Sequence, residues 1–322
     1  MKVQITKDIN ELENLWPDDN HVLTPFQTYV WNKLWIKNFG LDKKLQIYTF
    51  FEETNLVGIA PLYEKNSVLQ FIGTPPNISD YLDFIYLTGD LVKQRKILTE
   101  FLATVKHEKQ TNINLLHLTE KSPSVKLLSK IEINFDQEQE TTPFISCPAS
   151  WEEYLEKLPR KKRHELKRKL KKLSSKNSQV IYFCKPEEVR QEIDVFIDLL
   201  KQSSPEKEKF MTPQKEAFFK DFSDTMAEKN LILLSFLEIE GQKVASTLMF
   251  NHRNKLYLYN SGYNPEFKEF SPSLLLTAFN MKYAIEKGFE EYDLLRGDER
   301  YKYDLGATNR YIYNVRIQLI NH

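Results

Sequence analysis

The sequence predicts a mixed α/β protein built as two α/β halves, and three observations lead there. Strand-like and helix-like segments alternate along the chain. Their order in the first half is a hairpin, a third strand, a loop with Pro and Gly, a helix and a further strand, and that order returns in the second half. A strongly basic stretch separates the two. At 322 residues the chain is long for one core and comfortable for two domains of about 150 residues each. The halves are therefore set at residues 1–150 and 151–322.

The first 40 residues read as helical in two pieces. Ile9, Leu12, Leu15 and Trp16 recur at helical spacing, and Trp31, Leu34, Trp35 and Phe39 do the same. Leu45 to Phe51 and Leu56 to Tyr63 read as strands joined by the turn Glu52-Glu53-Thr54-Asn55, which makes a hairpin. Ser67 to Gly73 is a third strand. The loop from Gly73 to Tyr81 contains Pro75 and Pro76. Leu82 to Leu87 reads as a short strand, Leu91 to His107 as an amphipathic helix, Ile113 to Leu118 as a buried strand and Ser122 to Ile131 as another helix. In the second half, Leu231 to Ile239, Val244 to Asn251 and Lys255 to Ser261 read as strands. A loop with Pro265 and Pro272 leads to the helix Ser273 to Lys287, which Gly288 stops. Phe289 to Leu295 and Tyr311 to Ile320 are the last strands. Val57 maps onto Val244 and Gly73 onto Gly262, as an ancient duplication predicts. Between the halves, the stretch Arg160 to Lys176 is a helix with Leu166, Leu170 and Leu173 on one stripe and a dense basic face.

Composition narrows the partners. Lys plus Arg and Asp plus Glu are both 45, so net charge gives no general attraction to nucleic acid or membrane. The two cysteines, Cys147 and Cys184, form no metal-ligating pattern and suit a reducing compartment. The N-terminus has no apolar run of a signal peptide, and no window approaches the ~20 apolar residues of a membrane helix. The expectation is a cytoplasmic protein without a metal.

Nucleophile-elbow, P-loop, GxGxxG and HExxH patterns are all absent, and the six His are scattered. Two stretches carry candidate chemistry. In the first, the strand Leu256 to Gly262 runs through Tyr263-Asn264-Pro265 to a helix start at Ser271-Pro272-Ser273-Leu274. Ser before Pro is helix-start chemistry, and free N–H groups at a helix N-terminus suit a pyrophosphate. A plain capped helix has the same spacing. The second is Tyr292 to Gly306, where Asp293 on a buried strand precedes a loop with Arg296, Asp298, Tyr301 and Lys302. Catalytic groups often lie just past strand ends, although loop charges are also commonly just solvated.

The run SGYNP…SPSLLL…AIEKGFEEYDLLRGDERYK resembles the C-terminal half of the CelD/BcsL-type acetyltransferases, a branch of the GNAT superfamily close in architecture to Fem-type aminoacyl transferases. The N-terminal half is similar to the family at Phe26, Trp31, Val57-Gly-Ile-Ala-Pro-Leu62, Phe71-Ile-Gly73 and Ser79-Asp-Tyr-Leu-Asp83. The basic helix before the second domain matches as well. This sequence departs from the family at Ser273, where Gly is common, and at Asn264, where Asp is common. The Arg-x-x-Gly-x-Gly/Ala loop of ordinary GNAT enzymes is absent.

The resemblance implies two tandem GNAT-like domains, acetyl-CoA or another acyl-CoA as donor, and an amine acceptor such as an amino sugar or envelope precursor. Carried over by position, Ser271, Pro272, Ser273 and Leu274 form the pyrophosphate-binding helix start. The thioester carbonyl is polarised by strand amides at a β-bulge around Tyr259 to Gly262. Asp298 or Asp293 is the base and Tyr301 the acid, while Arg296 and Lys302 hold an anionic group. Asp80, Tyr81 and Asp83 are expected to form the other wall of an acceptor cleft between the halves. Two other functions stand beside this one: a Fem-like transferase taking aminoacyl-tRNA through the basic helix, and a non-catalytic accessory protein of a polysaccharide system. Acyl carrier protein is a variant donor, since its acidic surface suits that helix.

Overall fold

A computed structural model describes residues 1–19, 21–74, 76–108, 112–128 and 134–319. The chain forms two compact units, one of Met1–Thr141 with the segment from Tyr311, the other of Thr142–Arg310. No helix among the described residues is long and apolar enough to cross a membrane.

The first unit runs β1 (Lys2–Thr6), α1 (Tyr29–Phe39), β2 (Lys44–Glu52), β3 (Asn55–Lys65), β4 (Val68–Phe71), β5 (Ile85–Tyr86), α2 (Leu91–His107), β6 (Asn112–Thr119), α3 (Pro123–Leu128) and β7 (Asn134–Thr141). Thr28 caps α1 by accepting from the Trp31 amide, and the helix buries Trp31 and Trp35 completely. β3 is buried continuously from Val57 to Tyr63 because both faces are covered, with Ile97 of α2 against Gly58 on one and Trp35 of α1 against Tyr63 on the other. The helix expected around Ile9 to Trp16 is only a 3-10 turn over Ile9–Leu12. The far ends of the segments expected to reach Ile131 and Ile320, and Pro75 of the loop, lie outside the described residues.

The second unit runs β8 (Phe144–Ser146), α4 (Trp151–Lys157), α5 (Arg160–Ser174), β9 (Ser178–Phe183), α6 (Pro186–Gln202), α7 (Pro205–Phe210), α8 (Pro213–Glu228), β10 (Ile232–Ile239), β11 (Gln242–His252), β12 (Lys255–Tyr263), α9 (Pro272–Glu286), β13 (Glu291–Asp293) and α10 (Arg300–Asp304). The order of its sheet is β8-β13-β12-β11-β10-β9. Its core joins Leu166 and Leu173 of α5 to Leu275, Ala278 and Met281 of α9 and to Leu256 and Met249 of the sheet.

The last strand, β14 (Tyr311–Gln318), pairs antiparallel with β6 on one side and β7 on the other. The sequence reading assigned it to the second half; in the structure it belongs to the first sheet, whose order is β1-β2-β3-β4-β6-β14-β7.

The two sheets share a connectivity. Three antiparallel strands are followed by a helix and then by a strand parallel to the third: β2-β3-β4-α2-β6 in one, β10-β11-β12-α9-β13 in the other. Each helix lies on the central strand, since Gly58 of β3 meets Ile97 of α2 and α9 packs on β11. This agreement supports the repeat. The proposed glycine pair does not correspond: Gly73 ends β4 at φ +109, whereas Gly262 sits inside β12.

Candidate functional site

In the second unit β12 and β13 pair only over Lys255–Tyr257 and Glu291–Asp293, after which β12 continues to Tyr263 with β11 as its one partner strand among the described residues. Within that free stretch Leu258 faces Met249 and Asn260 faces Leu248, so Tyr259 is the extra residue of a β-bulge. The Asn264 amide donates to the Val244 carbonyl at 2.8 Å. By alternation, Gly262 directs its amide to β11, and Ser261 faces the opposite edge, which no strand covers among the described residues. Lys207 of α7 donates to the Ser261 carbonyl from that side. Tyr259 is 8% exposed, and its ring packs among Phe219, Phe222 and Phe250.

Gly262 needs a correction. A Cβ there would lie 2.3 Å from the Leu200 amide nitrogen and 2.4 Å from the Leu199 carbonyl carbon, so the missing side chain lets α6 reach the sheet. With its amide turned into the sheet, Gly262 is a packing glycine and contributes no donor to a cofactor.

From the end of β12 the chain passes through a 3-10 segment, Pro265–Phe270, into α9. Its N-cap, Ser271, is a non-glycine residue at φ 53 and ψ 52, and no side chain caps the first turn. Pro272 is buried, while Ser273 and Leu274 are half-exposed. α5 lies alongside: Lys169 donates to the Ser271 hydroxyl, and Lys172 donates to Glu269 at 2.9 Å. A helix start with open amides and an adjoining ammonium is electropositive and fits a pyrophosphate.

The corresponding places in the first unit are filled. The Asp90 carboxylate caps α2 by accepting from the Val92 amide at 2.8 Å and the Lys93 amide at 3.4 Å. Beyond the short β4–β6 pairing at Val68–Gln70, the loop takes up β6, with the Leu82 amide donating to the His117 carbonyl at 3.0 Å. Ile78, Tyr81, Leu82 and Phe84 are all buried there.

The loop after β13 separates the remaining candidates. Asp293 is fully buried. One of its oxygens accepts from the Leu295 amide at 2.9 Å and the other from Arg310 at 3.2 Å. Arg310 also grips Glu291 through two bonds of 2.6 and 3.0 Å, and its guanidinium lies 4.0 Å over the Phe144 ring. Burial works against the Glu291 charge, but Arg310 and Lys255 prevail and hold its pKa below the usual value. Asp293 therefore anchors a strand end and is not placed to act as a base. Lys302 is 2% exposed and donates to the carbonyls of Leu295, Arg296 and Gly297 at 3.2, 2.7 and 3.0 Å, with Glu299 at 3.0 Å. Its ammonium organises the loop, so the expected contact to an anionic acceptor does not hold. Asp298 is exposed, Arg296 is half-buried, and Tyr301 is half-buried against the core. Burial raises the Tyr301 phenol well above its ordinary value, which keeps it protonated.

Of the first-unit candidates, Asp80 is half-exposed. Tyr81 is 2% exposed, edge-on to Phe26, and its carbonyl accepts from Thr24. Asp83 is 5% exposed and accepts from Ser124 at 2.6 Å and the Phe84 amide at 2.7 Å. Burial pushes its carboxyl up to about 6, against the lowering effect of those bonds. Tyr81 and Asp83 are thus interior groups rather than the expected acceptor wall.

Sequence reasoning missed Lys207 and the anchoring role of Arg310. Lys207 sits in a run of alternating charges, Glu206-Lys207-Glu208-Lys209, that gives no sign of which residue turns inward. Lys169 was one of many cations on α5, and only helix phase distinguishes it.

Residues 160–303 match the family model described as the acetyltransferase (GNAT) domain. No curated protein matches the sequence. Among solved structures the chain is similar to FemX, with a TM-score of 0.64 and 14% identity over 97% of each chain. It is similar to the C-terminal domain of a putative lysylphosphatidylglycerol synthetase from Agrobacterium fabrum, with a TM-score of 0.58 and 9% identity over 89% of this chain and 86% of that one. A tandem GNAT protein from the clavulanic acid biosynthesis pathway aligns over 100% of both chains, with a TM-score of 0.52 and 10% identity. At these identities the likeness speaks for the fold, and CelD/BcsL membership is not among the matches. The protein has a tandem GNAT-like α/β fold, and its residues 160–303 match the model of the acetyltransferase (GNAT) domain.

Proposed function

We propose that this protein is a cytoplasmic N-acyltransferase that moves an acetyl or other acyl group from acyl-CoA to an amine, with the donor in the second unit. The observation that supports this most is the free stretch of β12. It joins a β-bulge at Tyr259 to the uncapped, lysine-flanked start of α9. The amides of Ser273 and Leu274, with Lys169, would hold the donor pyrophosphate. The backbone from Tyr259 to Ser261 would line the pantetheine arm and polarise the thioester carbonyl. Asp298 would take a proton from the acceptor amine, the amine would form the C–N bond as C–S breaks, and that proton would pass on to the departing thiolate, since burial makes the Tyr301 phenol too weak an acid for the role expected of it. An amino sugar or envelope precursor is the acceptor class that the family resemblance implies.

A screen of thermal stability with acetyl-CoA, longer acyl-CoAs and free CoA tests the donor. Binding to the folded state alone raises Tm by mass action. The absence of any shift with all of them removes CoA from the reading.

One observation favours a second reading. Arg160, His164, Lys167 and Lys171 are exposed along one face of α5, opposite the Lys169 side that meets the start of α9. An aminoacyl-tRNA donor would use that face. Its signature is RNA affinity that falls steeply with salt as phosphate contacts are lost. No RNA binding at low salt eliminates it.

A further inference from the structure

α7 is a six-residue helix, Pro205–Phe210, that Ser204 caps and that buries none of its own residues. Glu206, Glu208 and Lys209 are exposed, and Lys207 alone turns its charged end inward to the Ser261 carbonyl. That carbonyl lies on the open edge of β12, two residues past the bulge, a separation on the order of 7 Å along a strand. The lysine stem can swing its amine over that distance. A lysine drawn away from water releases its proton more readily and becomes nucleophilic. Burial does lower the Lys207 pKa, with Glu299 acting in the opposite direction.

We propose that Lys207 is a self-acylation site, its amine taking the acyl group from a thioester donor held along β12. This rests on the donor reading above. Lys207 first gives one proton to water. The neutral nitrogen then attacks the thioester carbonyl carbon, the new C–N bond forms, and the C–S bond breaks with its electron pair on sulfur. A second proton from the nitrogen passes to that thiolate, so the products are an amide on Lys207 and free CoA thiol. The acylated side chain keeps one N–H for the Ser261 carbonyl, so the fold has no need to change.

The experiment uses the full chain and acetyl-CoA as probe, with no acceptor. Intact mass and peptide mapping follow acetylation with time and donor concentration, and Tm is measured with free CoA in parallel. Lys209, exposed and two residues away, serves as the internal reference for unassisted chemistry. The expected result is one acetyl group on Lys207, at a rate that saturates with acetyl-CoA and is suppressed by free CoA. In Lys207→Arg the saturable phase is lost while the CoA-dependent Tm shift persists, which shows that the variant folds and binds. If CoA raises Tm but Lys207 labels no faster than Lys209, self-acylation is wrong and the donor reading stands. If CoA gives no shift and no labelling saturates, the donor reading fails and this inference fails with it.

Discussion

Single residues in this protein are informative because charge and burial sort them differently from sequence position. Arg310 holds two carboxylates, one fully buried, and replacing it removes a cation from both, with Lys255 remaining beside Glu291. Arg310→Met is expected to cost about 3–5 kcal/mol, read by denaturant unfolding. Gly262→Ala puts a methyl group against the α6 backbone and is expected to cost about 1–3 kcal/mol by the same measurement. Asp83 gives a pH signature. Its folded pKa of about 6 lies above the ordinary aspartate value of 3.8, so between those values the folded chain binds the extra proton. Stability from this group is therefore full below about pH 4 and declines as pH rises to about 6, by up to ~3 kcal/mol. Asp83→Asn should flatten that part of the profile; an unchanged slope would place the titration elsewhere. In Asp298→Asn, turnover should fall by roughly 10²-fold with donor binding intact if Asp298 is the base. These positions also show where sequence reading stops. Lys302 and Asp83 look like loop charges in sequence, and although Asp293 reads as part of a buried strand, partners such as Arg310 and Ser124 are announced by no local pattern. Gly262 was expected among the bulge amides that face the donor, but a glycine in a strand does not say whether a helix or a ligand packs on it.

At the scale of elements, periodicity and turn chemistry do better. The hairpins, α2 and α9 were readable because Asp90, Pro272 and Gly288 mark helix ends and alternating apolar runs mark strands. The position of the α9 start was readable for the same reason. What could not be read was pairing. Tyr311–Gln318 has the composition of a strand, yet nothing local assigns it to the sheet containing β6 and β7 rather than to the sheet nearer in sequence. Deleting residues 311–322 removes an interior strand of the first sheet. Limited proteolysis should then cut rapidly within Met1–Thr141 while Thr142–Arg310 stays protected. Equal protection of both would contradict the assignment.

At the scale of the molecule, one connectivity appears twice with different outcomes. In the first unit a carboxylate caps the crossover helix and the loop around Leu82 occupies the strand beside it. In the second unit the helix start is uncapped, a lysine stands beside it, and the strand edge leading to it is open. The repeat was visible in the sequence as a recurring order of elements. The asymmetry arises from side chains and loops that the order alone does not describe. The central claim is that only the second unit binds the donor, at the start of α9, and one measurement addresses it directly. CoA binding is followed by thermal shift in the wild type and in Ser273→Asp, which sets a carboxylate among the amides of that helix start. The account predicts a Tm rise in the wild type, equivalent to about 2.7 kcal/mol at a hundredfold excess over Kd, and its loss in Ser273→Asp. An equal shift in both proteins would contradict it.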